Sequence, residues 1–132
     1  MNTITETNYV DVAERHIRKL ADQTYPRTGK QVPMVTTSKI RNLLAITSDI
    51  YNEVVYLREE KLPVDICSRI SYLRVRFLYD AGRDPKVKEL VVETQILDVL
   101  QEIQGSKKNF ILFSRYMEAL VAFRKYYGGK DE

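Results

Sequence analysis

The sequence predicts an all-α fold, a single-domain compact bundle of five helices that spans residues 1–132. Apolar residues recur every three or four positions along most of the chain, which is the period of an amphipathic helix. No segment shows a convincing strand pattern, and there is no internal repeat or low-complexity tract. With 132 residues, 44% of them hydrophobic, the chain is long enough to bury one core. Five such segments joined by short turns are typical of a helical bundle.

The first helix is predicted to begin at a cap formed by Thr7 or Asn8 and to continue to about Thr24. Residues 1–7 before it are polar, and we expect them to be frayed. Residues 25–36 contain two of the four prolines and a glycine, so they are predicted to form a loop.

The second and third helices are predicted from strong apolar periodicity. The second is capped by Thr36 or Thr37 and extends to about Lys61. The third begins at Val64 or Asp65 and ends at Ala81, because the next residue is a glycine that can adopt positive φ. Its predicted core face holds Ile70, Leu73, Phe77 and Ala81, flanked by Leu78.

One charged residue interrupts that apolar face. Arg74 lies beside Leu73 and Phe77, and a buried guanidinium needs an acidic partner. We therefore expect Arg74 to have a structural role, paired with Glu118 or another carboxylate.

The fourth helix is predicted to have Asp84 as its N-cap and Pro85 as its first residue, and to run to about Gln104. It carries two nearly opposite apolar stripes, one of Val87, Leu90, Val91 and Leu97 and one of Val92, Ile96, Val99 and Ile103. A helix with two apolar sides is sandwiched between neighbours or contacts another subunit. The fifth helix follows Ser106 and ends near the glycine pair, and residues 128–132 are expected to be frayed.

Composition excludes several classes of function. The lone Cys67 rules out an internal disulfide framework and suits a cytoplasmic location, and no apolar run is long enough for a membrane span. His16 has no cysteine, histidine or paired carboxylate at ligand spacing, so we predict no metal site. We also predict no cofactor and no catalytic residues, since neither a phosphate-binding glycine loop nor a nucleophile motif is present.

Basic residues are concentrated locally, although the net charge is only +3. Residues 69–88 carry six basic and two acidic side chains, and residues 107–125 carry five and one. Basic and aromatic side chains alternate along one face of the third helix, in the order Arg69, Tyr72, Arg76, Tyr79 and Arg83. Such a face is either an ordinary solvated surface, with arginines paired to neighbours such as Asp80, or a sequence-independent track for a nucleic-acid backbone.

Three blocks of the sequence resemble a known family. They are TTSKIRNLLAITSDIYNEV in the second helix, YLRVRFLYDAGRDPKVKELV across the third and fourth, and FSRYMEALVAFRKYYGGKD at the end. Together they resemble the small subunit of type III-A CRISPR–Cas interference complexes, the Csm complexes. The resemblance extends from about Asn8 to Asp131.

This resemblance implies a non-catalytic, RNA-backbone-binding subunit in antiviral and anti-plasmid defence. Its partners would be guide RNA, target RNA, other subunits of the complex and further copies of itself, stacked along the guide–target duplex. The predicted RNA-binding residues are Lys39, Arg41, Arg69, Arg76 and Arg83, followed by Arg115 and Lys125. The alternative is a structural helical spacer or adaptor that contacts proteins without binding RNA directly.

Overall fold

The computed structural model describes residues 2–128, which form six α-helices around one hydrophobic core. The helices are α1 (Tyr9–Ala21), α2 (Thr37–Val54), α3 (Val64–Arg83), α4 (Pro85–Thr94), α5 (Ile96–Gln101) and α6 (Lys107–Tyr127). Residues 2–128 contain no strand, only two isolated bridges, Thr24–Gln31 and Lys61–Ser106. The all-α prediction is confirmed, but the number of helices is six instead of five.

The predicted N-caps Thr36 and Asp84 are confirmed, and Ser106 caps the helix that was predicted to follow it. The side chains of Thr36, Asp84 and Ser106 accept hydrogen bonds from backbone N–H groups in the first turns of α2, α4 and α6. Each cap satisfies a donor that has no partner within its own helix. The predicted cap of α1 is different, because Asn8 makes no side-chain hydrogen bond to that helix.

Helix α2 ends at Val54, seven residues before the predicted end at Lys61. The segment that follows pairs with the chain that precedes α6. Leu62 N donates to the Gly105 carbonyl and Lys107 N donates to the Glu60 carbonyl, both at 2.8 Å. These long-range bonds replace the hydrogen bonds that a longer α2 would have made.

The junction between α3 and α4 forms for a different reason from the one predicted. Gly82 lies inside α3 and does not adopt positive φ. The helix continues to Arg83 and stops at Asp84, whose φ of −133° and ψ of 112° are extended. Pro85 disfavours the helical conformation in the residue before it, so the proline ends α3 as well as beginning α4.

The predicted single helix over residues 85–104 is broken at Gln95. This residue adopts a left-handed conformation with φ 56° and ψ 32°, and α5 begins immediately after it. The break rotates the second apolar stripe toward the core, where Ile96, Val99 and Ile103 are buried. Val92, the member of this stripe before the break, is 68% exposed.

Helix α6 supplies the centre of the core, and α1 and α2 pack along it. Phe110 and Phe113 are fully buried, and Phe113 makes an edge-to-face contact with Phe77 of α3 at 6.4 Å between ring centroids. The predicted core face of α3 is confirmed apart from Leu78, which is 50% exposed.

The buried arginine is Arg124 and not Arg74. Arg74 is exposed, so the predicted buried pair with Glu118 is wrong. Arg124 is 1% exposed, and its Nε donates to the Val35 carbonyl just before α2. Leu73 and Phe77 on α3 point into the core, whereas the Arg74 side chain points toward solvent.

The start of the chain packs against the bundle. Residues 1–7 were expected to be frayed, yet Ile4 is 1% exposed, and Thr3 N donates to Glu102 Oε1 at 2.8 Å. The segment 25–36 contains no helix, and Met34 within it is buried. Of the other predicted frayed segment, residues 129–132 lie outside the described residues.

Candidate nucleic-acid interface

Three helix ends meet at one corner of the bundle and form a cleft of about 280 Å³. The start of α2, the end of α3 and the start of α4 line it with Lys39, Asn42, Arg76, Asp80, Arg83, Asp84 and Val87. The Thr36 cap places Lys39 in the first turn of α2, and Pro85 turns the chain so that α4 leaves from the same corner. The structure therefore brings together three of the seven predicted RNA-binding residues. We call this group, Lys39, Arg76 and Arg83, the basic corner.

Two members of the basic corner have carboxylate partners. Lys39 Nζ donates a hydrogen bond to Asp84 Oδ2, and Arg76 lies 3.9 Å from Asp80. The hydrogen bond from Lys39 lowers the pKa of Asp84 below its ordinary value, so this carboxylate is ionised at neutral pH. Pairing with Asp80 is what the solvated-face alternative predicted. These side chains remain accessible, since 53% of Lys39 and 39% of Arg76 is exposed.

Aromatic side chains lie beside the basic corner on the same face of α3. Tyr72 is 57% exposed and Tyr79 is 58% exposed. The Arg83 guanidinium lies 5.4 Å from the centroid of the Tyr79 ring, a cation–π distance. The predicted alternation of charge and aromatic ring on one helix face is thus present as an accessible surface.

Arg69 is on the predicted line but not in the corner. It pairs with Glu53 of α2 and lines a separate groove with Ile46, Asp49, Ile50, Ser68 and Tyr72. Along the helix axis, Arg69 and Arg83 are about 21 Å apart, so one phosphate group cannot bridge them. The seven-residue spacing places Arg69, Arg76 and Arg83 in one row along α3, but only Arg76 and Arg83 line the cleft at the corner.

The remaining predicted residues lie at three other places. Arg41 is exposed on α2, and Lys125 is exposed near the end of α6. Arg115 lines a second, larger cleft at the start of α6. That cleft also contains Arg58, Lys107 and Lys108, which the sequence did not assign to a site. The lysine pair was visible as local charge, but nothing in the sequence connects Arg58 to α6.

The described residues contain no group of three or more histidine, cysteine, aspartate or glutamate side chains placed to hold a metal ion. His16 instead makes a 2.7 Å hydrogen bond to Glu93, which ties α1 to α4. Within residues 2–128, no helix combines the length and the apolar character that a membrane span requires.

The fold and the surface define a class, a small all-α protein with an accessible basic corner. Comparison with known proteins gives the family. The type III-A Csm2 family matches residues 14–130. The chain is 44% identical over 131 residues to the CRISPR system Cms protein Csm2 of Streptococcus thermophilus, covering 99% of this chain and 100% of that one.

A second relative is the CRISPR system Cms protein Csm2 of Mycobacterium tuberculosis, which is 38% identical over 98 residues, 74% of this chain and 79% of that one. The protein of the same name from Enterococcus italicus is 36% identical over 96 residues, 70% of this chain and 68% of that one. The chain therefore belongs to the Csm2 family, the small subunits of type III-A CRISPR complexes. The family inferred from the three sequence blocks is confirmed.

Proposed function

We propose that this protein is a non-catalytic subunit that binds the RNA backbone within a cytoplasmic type III-A effector. Several copies would stack along the duplex of guide RNA and target RNA. The observation that carries the proposal is the basic corner, where Lys39, Arg76 and Arg83 converge from two helices on one accessible cleft. Family membership supplies the context, since the relatives are named as proteins of a CRISPR system.

The chemistry of the corner favours phosphate over base recognition. Lysine and arginine side chains attract the phosphodiester backbone without regard to sequence, and release of counterions makes such binding salt-dependent. Arg83 lies against Tyr79, and surfaces that follow a nucleic-acid strand commonly combine positive charge with aromatic side chains. Binding at the corner is therefore expected to be similar for all RNA sequences.

A salt series tests this proposal. We compare the wild type with a corner variant, Lys39→Ala/Arg83→Ala, and with a control variant, Arg27→Ala/Lys30→Ala, in which two exposed cations of the α1–α2 loop are lost. Each variant loses two positive charges, so general electrostatic attraction falls equally. Loss of two phosphate contacts lowers the slope of log affinity against log salt by roughly two units. Between about 50 and 200 mM salt, this corresponds to a roughly 16-fold smaller drop in affinity.

The measurement is fluorescence anisotropy with a guide–target RNA duplex. Equal slopes for the corner and control variants would contradict RNA binding at the corner. A loss that depended strongly on RNA sequence would contradict recognition of the backbone.

A second candidate function is the structural spacer, and exposed apolar side chains on α3 and α4 favour it. Val75 and Leu78 are 54% and 50% exposed, and Val92 is 68% exposed. Exposed apolar surface of this kind is typical of contacts with other subunits. For a pure spacer, Val92→Glu blocks assembly of the complex, while the corner variant binds RNA and assembles normally.

A further inference from the structure

A cleft of about 560 Å³ lies at the end of the bundle where α6 begins. Three separate segments build it, namely the N-terminal segment, the connection between α2 and α3, and the first turns of α6. It is lined by Glu6, Tyr9, Arg58, Glu60, Lys107, Lys108, Ile111, Leu112 and Arg115. Four cations and two carboxylates give it a local excess of positive charge. We call it the second cleft.

The two acidic groups of the second cleft are already engaged. Glu60 accepts hydrogen bonds from Ser106 Oγ and from Lys108 N, and these bonds lower its pKa below the ordinary value. Glu6 pairs with the Lys108 side chain at 3.6 Å. Lys107 Nζ donates to the Leu57 carbonyl. Glu60 therefore holds the start of α6, and Glu6 neutralises the Lys108 side chain.

The two arginines of the cleft remain available. Both Arg58 and Arg115 are exposed, and neither side chain makes an ion pair or hydrogen bond with any residue in the range 2–128. This differs from the basic corner, where Lys39 and Arg76 have carboxylate partners. Free guanidinium groups present a planar set of donors that matches the oxygens of a phosphate.

Part of the wall of the second cleft is apolar and aromatic. Tyr9, Ile111 and Leu112 are partly buried side chains that line the same space as the two arginines. A nucleotide has this dual character, an anionic phosphate joined through a sugar to a flat base. We propose that the second cleft binds one unpaired nucleotide of an RNA strand, with its phosphate at Arg58 and Arg115 and its base against Tyr9, Ile111 and Leu112.

This inference rests on the proposed RNA binding and adds a second, distant contact to it. Helix α2 connects the two places, since Lys39 lies in its first turn and Arg58 follows its end. Eighteen residues of helix span about 27 Å. A strand of B-form DNA rises about 3.4 Å per nucleotide, so about eight nucleotides of such a strand cover this distance, and a more extended single strand needs fewer. A longer strand can therefore occupy both places at once and gain affinity through effective concentration.

Two measurements on the full chain test the inference. The first compares oligouridylates of ~4 and ~20 nucleotides, since only the longer one can reach both places. The cleft variant, Arg58→Ala/Arg115→Ala, is expected to lose most of the gain in affinity that the longer strand gives. Its salt slope falls by about 1.4 units for two lost contacts to single-stranded RNA, roughly a sevenfold smaller change between about 50 and 200 mM salt. Arg58→Lys/Arg115→Lys keeps both charges but loses the planar set of donors, so it is expected to keep the wild-type salt slope and to lose part of the gain in affinity.

The second measurement locates the base directly. A ~20-nucleotide oligouridylate containing 4-thiouridine is cross-linked by light to the wild-type protein, which is then digested with trypsin. Cross-links are expected in the peptides 1–15 and 109–115, which contain the aromatic and apolar wall. Cross-links confined to peptide 77–83 of α3 would overturn the second cleft as a nucleotide site.

The variants separate failure of this inference from failure of the proposed function. If the cleft variant binds RNA as tightly as Arg27→Ala/Lys30→Ala while the corner variant loses affinity, the inference about the second cleft is overturned and the proposed RNA binding at the basic corner is retained. If both variants match that control, RNA binding at either place is overturned. If the cleft variant binds RNA like the control but fails to assemble with the other subunits, the cleft receives an acidic protein segment and the nucleotide assignment is wrong.

Discussion

Replacing Tyr116 by phenylalanine tests how the break between α4 and α5 is stabilised. The Tyr116 side chain is fully buried, and its hydroxyl donates to the Thr94 carbonyl at 2.8 Å. Thr94 is the last residue of α4, directly before the left-handed Gln95. The last carbonyls of a helix have no partner within it, so this hydroxyl replaces a bond that a continuous helix would have made.

Tyr116→Phe keeps the ring and its packing and removes only the donor. A buried acceptor that loses its partner raises the free energy of the folded state by about 1–3 kcal/mol. We expect the variant to lose about 1.5 kcal/mol of unfolding free energy, which for a domain of this size corresponds to roughly 5 °C in Tm. The matched control is Tyr72→Phe, because Tyr72 is 57% exposed and its hydroxyl makes no hydrogen bond within residues 2–128.

Urea unfolding at pH 7 gives the comparison, with the m-value expected to be unchanged. Burial raises the pKa of Tyr116, so the folded protein keeps this proton above pH 10 while the unfolded chain releases it. The stability that this group contributes is therefore present below about pH 10 and declines above it. The difference in unfolding free energy between wild type and Tyr116→Phe therefore becomes smaller above about pH 10. A Tyr116→Phe variant as stable as Tyr72→Phe at pH 7 would refute this account of the break.

Two further predictions concern acidic residues. Glu93 is partly buried, which favours its neutral form, but hydrogen bonds from Lys19 and His16 outweigh burial and lower its pKa. Its contribution to stability is therefore present above its ordinary pKa of 4.5 and is lost as the pH falls. Glu93→Gln should be about 1 kcal/mol less stable at neutral pH and converge with wild type in acid, as measured by thermal unfolding. If the stabilities of Glu93→Gln and wild type moved further apart as the pH falls, the lowered pKa of Glu93 would be contradicted. Asp80→Asn releases Arg76 and removes a negative charge from the corner, so RNA affinity should rise about two- to fivefold in the anisotropy assay, and a decrease would contradict competition between Asp80 and phosphate.

Local sequence signals predicted the helix starts and the core faces well. The caps at Thr36 and Asp84 depend on residues within a few positions and formed as expected, and α6 begins directly after Ser106, as predicted. The break at Gln95 was missed because it has no glycine or proline to mark it, and its stabilising donor, Tyr116, comes from α6. The predicted helix count was one too low for this reason.

The candidate site shows the same division between local and long-range information. Helical spacing identified the basic and aromatic face of α3, and the Asp84–Pro85 signal identified the start of α4, which lies at the corner. Arg69 pairs with Glu53, and Lys39 pairs with Asp84. In each pair the carboxylate comes from a different element of the fold, so the sequence alone did not predict the pairs.

Burial of arginine also depended on tertiary context. Arg74 and Arg124 both occur among apolar residues, yet only the second faces the core. The second cleft was missed because three distant segments assemble it.

Co-purification tests the central claim most directly. The chain, tagged, is expressed with the other subunits of a type III-A locus and a guide array, and the RNA that purifies with the tag is sequenced. We predict guide RNA together with the larger subunits, and less RNA retained at high salt when the corner variant replaces the wild type. RNA-free protein that elutes alone, while the remaining subunits assemble without it, would contradict the account.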